Sequence, residues 1–100
     1  MKTIYQVEIT QTAEKDIHHI WEYIAQDTKQ AANRFIAELD KQFTALTSNP
    51  ERCASIPENA LLKTNYKHLI YKQYRMIFRI EKQQVYILRI IHGTKLLVIK

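Results

Sequence analysis

The stretch Tyr74 to Gly93, YRMIFRIEKQQVYILRIIHG, alternates apolar residues with others on both sides of a polar triplet, and it sets two arginines and a histidine within that pattern. Strict alternation of aromatic, β-branched and polar residues marks strands whose two faces differ. In the first run Tyr74, Met76, Phe78 and Ile80 share one face, and Arg75, Ile77 and Arg79 share the other. In the second, Tyr86, Leu88, Ile90 and His92 alternate with Val85, Ile87, Arg89 and Ile91. The triplet Lys82-Gln83-Gln84 can turn the chain between them, which makes an antiparallel hairpin. If the more apolar faces pack inward, Arg75 and Arg79 stand on an open sheet face.

Upstream, YKHLIY at 66–71 reads as a further strand, and Tyr5, Val7 and Ile9 alternate with Gln6, Glu8 and Thr10 in an opening one. Between them Ala13, Ile17, Ile20, Trp21 and Ile24 recur at helical spacing up to Ala25, with Glu14 and Asp16 in the first turn where they suit the helix dipole. A second helix carries Ala32, Phe35, Leu39, Phe43 and Leu46 as its stripe; Asp27 or Thr28 can cap it, and Asn49-Pro50 stops it. Core packing accounts for Trp21, Phe35 and Phe43. Arg52 to about Thr64 reads as irregular. The order is β-α-α-β-β-β, an α+β fold in which the helical hairpin packs on one face of a small antiparallel sheet and leaves the other to function or water.

A length of 100 residues supports one domain spanning 1–100. The single cysteine, Cys53, allows no intrachain disulfide and suits a reducing compartment. With no long apolar run, a cytoplasmic location and no membrane partner are expected. No glycine-rich phosphate loop, serine elbow or paired-cysteine site is visible, and His18 and His19 lack the spacing with which a helix chelates zinc, so neither cofactor nor metal is expected. Neither they nor His68 is assigned a role.

Charge is distributed unevenly. Residues 61–100 hold nine Lys/Arg against one acid, Glu81, whereas residues 1–60 hold six against nine. Such asymmetry fits a polyanionic partner, nucleic acid or an acidic protein segment, although a solvated basic face is the alternative. Arginines sharing a face can grip phosphates or carboxylates in two-pronged contacts, or merely solubilise the sheet. His92, at a strand end beside Gly93, can act as acid, base or structural donor.

The runs TAEKDIHHIWEYIA (12–25), AANRFIAELDKQFTALTSNPERC (31–53), YRMIFRI (74–80) and VYILRIIHG (85–93) together resemble the RelE/ParE superfamily of type II toxin–antitoxin toxins, on its ParE side. The resemblance covers nearly the whole chain. It implies a microbial ribonuclease-like fold and a small acidic antitoxin as partner, with Lys67, Arg75 and Lys95 at its basic positions; together with the strand arginines Arg79 and Arg89 these are the candidate anion-binding and partner-binding residues. ParE-like members poison DNA gyrase; RelE-like members cleave mRNA on the ribosome, and for that chemistry Lys67, Arg75 and His92 match positions of the pattern. Leu69 replaces a second lysine, and no tyrosine follows His92. The resemblance therefore implies a gyrase-directed toxin before a ribosome-dependent endonuclease, with an inactive or purely binding member as a further alternative.

Overall fold

The computed structural model describes residues 4–97; Lys100, counted above among the basic residues, lies outside them. Strand β1 (Gln6–Ile9) leads into helices α1 (Gln11–Ala25) and α2 (Lys29–Ala45). A 3-10 turn at Pro50–Arg52, the two-residue β2 (Ala54–Ser55) and the short α3 (Asn59–Leu62) follow, then β3 (Lys67–Tyr71), β4 (Tyr74–Glu81) and β5 (Gln84–His92). The helix starts are chemically marked. Thr10 and Thr28 accept hydrogen bonds from the amides of Ala13 and Ala31, satisfying groups that the first helical turn leaves unpaired. Of the two capping candidates before α2, Thr28 is used.

The sheet order is β1-β5-β4-β3-β2, and the helical hairpin covers one face as expected. The edge strand β1 pairs with β5 in parallel, while the other pairs are antiparallel. The chain between them permits this, because a parallel neighbour needs a long connection and residues 10–83, beginning with the helical hairpin, separate β1 from β5. Phe35, Leu39, Phe43 and Leu46 meet Met76, Phe78, Val85 and Ile87 in the main core. Trp21 is only half-buried and donates its indole N–H to Asn33 Oδ1 at 2.9 Å, so it ties α1 to α2 instead of filling the core.

The second face of the sheet is open only in part. The chain from Ile56 to Tyr66 and the residues leading to Leu97 fold over it, enclosing a smaller core of Ile56, Ile77, Ile91 and Leu97. This covering stretch, read from sequence as irregular, is organised by Asn59. Its side chain donates to the Tyr66 carbonyl at 2.8 Å and accepts from the Tyr66 amide and the Thr64 hydroxyl at 2.9 and 2.8 Å.

Candidate functional site

Alternation in β5 does not run through. Ile77 pairs with Arg89, but the next residue, Phe78, pairs with Ile87, so Leu88 is an extra residue in a bulge. Val85 and Ile87 before the bulge and Ile90 after it all reach the main core, which a strand of unbroken period two cannot do. The bulge also places His92 opposite Tyr74 on the helix-covered side, where the rings meet edge to face at 5.9 Å. Tyr74 itself packs edge to face on Phe35.

Arg75 does lie on the face away from the helices, as its alternation with Met76 requires, but it is 5% exposed. Its Nη1 and Nη2 donate to Glu58 Oε1 and Oε2 at 3.0 and 2.6 Å, and Nη2 also donates to the Lys95 carbonyl at 2.6 Å. Glu58 Oε2 in turn accepts the amide of Leu97 at 3.0 Å. One buried guanidinium and one buried carboxylate thus fasten the covering loop and the C-terminal residues to the sheet. The Arg75 hydrogen bonds, and then the Leu97 amide, hold the Glu58 carboxyl at about 2, well below the ordinary carboxylate value. The expectation of a solvent-facing, ligand-gripping Arg75 is therefore corrected: its charge is already matched.

Three of the other expected cations are also engaged. Lys67 pairs across from Phe78, on the helix side, and its ammonium donates to the Cys53 carbonyl at 3.0 Å. Arg79 stays on the second face, over the Tyr86 ring at 4.2 Å and paired with Glu81. Arg89 donates from Nε and Nη2 to Asp16 at 2.7 and 3.1 Å. Asp16 also takes the Ile90 amide at 2.9 Å, so this carboxylate, expected to serve the α1 dipole, instead pins α1 to the part of β5 that β1 does not reach. Only Lys95 among the five is exposed with an ammonium that makes no ion pair or hydrogen bond among the described residues. Lys67, Arg75 and His92 do not converge: Arg75 is on one face of the sheet, Lys67 and His92 on the other.

Glu58 is the participant that sequence reasoning missed. A signal was present, since Glu58 is the last acid before Glu81 in a stretch otherwise rich in cations. His68, opposite Ile77 on the second face, has a buried Nδ1 without a partner; burial first, and then the Arg75 cation, pull its pKa below the usual imidazole range. Among the described residues no group of three or more His, Cys, Asp or Glu is placed to hold a metal ion, and no helix is long and apolar enough to cross a membrane.

The family model for the ParE toxin of type II toxin–antitoxin systems matches residues 7–97. This chain belongs to the ParE toxin family. It is a type II toxin of the ParE/RelE superfamily, and solved structures share its fold. A chain of the chromosomal ParDE toxin–antitoxin system from P. aeruginosa superposes with a TM-score of 0.71 at 18% identity, covering 90% of this chain and 97% of that one. A chain of the toxin–antitoxin complex RelBE2 from Mycobacterium tuberculosis gives a TM-score of 0.64 at 23% identity, covering 93% and 95%. At such identities the likeness is one of fold. No curated protein matches the sequence. Within the ParE-family scaffold this chain closes the Glu58–Arg75 clasp, which also holds the turn after β5 through the Lys95 carbonyl.

Proposed function

We propose that this single-domain toxin arrests growth by acting on DNA gyrase and is neutralised by a cognate acidic antitoxin. The observation that carries the choice of target is the burial of Arg75 against Glu58. Cleavage of mRNA through this position requires a guanidinium free to meet the developing charge on phosphorus. Here its Nη groups are spent on a carboxylate and a carbonyl, and the Nε is buried. Lys67 and His92, the partners such chemistry would recruit, stand on the opposite face of the sheet from Arg75. Inhibition by binding needs no such constellation.

The antitoxin reading is supported by the nine-to-one basic balance of residues 61–100 and by the toxin–antitoxin setting of both structural neighbours. Purified protein added in parallel to a gyrase supercoiling reaction and to ribosomes translating labelled mRNA tests the target. Loss of supercoiling, or accumulation of cleaved gyrase–DNA complex, with intact mRNA is the expected result. Codon-phased mRNA cleavage that disappears in Arg75→Ala while the variant remains folded would reverse the assignment.

A further inference from the structure

A cleft of about 510 Å³ opens between α1 and the C-terminal end of β5, with Tyr23, Tyr74, His19, His92 and Lys95 in its walls. Its size falls within the range of small-ligand sites. Its chemistry is one-sided. Asp16 is its one carboxylate, and both oxygens of that group are taken by Arg89 and the Ile90 amide. What remains besides the neutral Gln73 carboxamide is rich in donors: the Lys95 ammonium, two imidazoles and two phenols whose hydroxyls have no hydrogen-bond partner among the described residues. Burial pushes the Tyr74 phenol pKa up, and the nearness of Tyr23 adds to it, so the hydroxyl stays a proton donor.

The turn that presents the cationic wall is held in place before any ligand arrives. The Gly93 amide donates to the Gln73 carbonyl at 2.7 Å and the Lys95 amide to the His92 carbonyl at 2.9 Å, while the Thr94 amide donates to His92 Nδ1 at 3.3 Å. That last contact leaves His92 Nε2 as the nitrogen available to a ligand. From the far side of the sheet, Arg75 Nη2 grips the Lys95 carbonyl. The buried clasp therefore fixes the position of the exposed lysine without itself meeting the cleft.

We infer that this cleft binds a phosphate-bearing nucleotide, its phosphate held by Lys95 and His92 and its base laid against Tyr23 and Tyr74. The Arg89 guanidinium offsets the charge of Asp16, and a fixed ammonium beside an imidazole donor suits phosphate oxygens. Tyr23 and Tyr74 both line the cleft, and aromatic side chains hold a base by stacking without sequence preference. The site is a binding site only and lies across the sheet from Arg75; it does not depend on gyrase being the target. Arg75 is a positioning residue for it.

The test is a titration of the full chain with adenosine 5′-monophosphate, inorganic phosphate and adenosine, followed by amide and imidazole chemical shifts. Shifts at His19, His92, Thr94 and Lys95 that saturate by about 10 mM nucleotide are expected, as a dissociation constant of about 1 mM or tighter requires. Lys95→Ala should weaken nucleotide and phosphate alike by about tenfold, the scale of one charge-assisted hydrogen bond. Tyr23→Ala, at a largely exposed position, should weaken the nucleotide and leave phosphate unchanged. Arg75→Lys, if folded by its amide spectrum, should weaken both while Lys95 is still present. Absence of shifts at the cleft, equal affinity for phosphate and nucleotide, equal affinity for adenosine and nucleotide, or full binding by Lys95→Ala would each overturn the proposal.

Discussion

Glu58 and Arg75, on the loop before α3 and on β4, close a two-pronged ion pair with both side chains under a tenth exposed. Removing one charge leaves the other buried and unmatched. Glu58→Ala should therefore cost about 3–5 kcal/mol of stability, measured by urea or thermal unfolding. Replacing both residues by leucine should recover most of that loss, because the pair lies beside the apolar cluster of Ile56, Ile77, Ile91 and Leu97. A double variant as unstable as the single one would show that the contacts to Lys95 and Leu97, and not charge matching, dominate.

The same carboxylate sets an acid limit. Its folded pKa of about 2 is depressed from an ordinary 4.5, so the unfolded chain takes up this proton first as pH falls. The stabilisation is then complete above about pH 4.5 and is lost progressively as pH approaches 2. Unfolding measured between pH 6 and pH 3 should show a steeper acid loss in the natural protein than in Glu58→Gln, with this group's share removed from the variant.

Asp16 holds the free end of β5 to α1 through Arg89 and the Ile90 amide. Asp16→Ala should cost about 2 kcal/mol, since it orphans a backbone N–H and an arginine that is only one-third exposed. Hydrogen exchange should speed up at Ile90 and at His92 while the amides of β3 keep their protection. Uniform loss of protection would assign Asp16 a global role.

Lys72 and Lys82 occupy the hairpin turns with φ of 52° and 56°, a left-handed conformation that costs any residue with a Cβ. Lys82→Gly should raise stability by about 0.5–1 kcal/mol, seen as a higher melting temperature. Lys82→Ala, which keeps the Cβ, should give no such gain and so separates backbone strain from loss of charge.

If an acidic antitoxin segment is the partner, its affinity should fall with ionic strength. Changing the exposed Lys63, Lys72 and Lys82 together to glutamate should weaken binding by about tenfold, each surface charge contributing a few tenths to 1 kcal/mol. An unchanged dissociation constant would count against long-range charge attraction. These positions are chosen because Arg75, Arg79 and Arg89 are already paired within the toxin.

The amino-acid sequence by itself determined the helical hairpin, the three C-terminal strands and the core stripe Phe35, Leu39 and Phe43, because all of these rest on periods of 3.6 and 2 that local geometry imposes. It also disclosed the family, through four runs spread over most of the chain. Tertiary structure alone decided the rest. The parallel pairing of β1 depends on where the hairpin returns the chain, and the bulge at Leu88 is visible only in the register against β4. Arg75 was legible as facing away from the helices but not as buried. Its fate was set by Glu58 and the Leu97 amide, 17 and 22 residues away, through hydrogen bonds that no periodicity encodes. Alternation tells which face a side chain takes; only the folded chain determines whether that face meets water, and an ion pair between distant residues forms because the backbone happens to bring opposite charges together out of solvent.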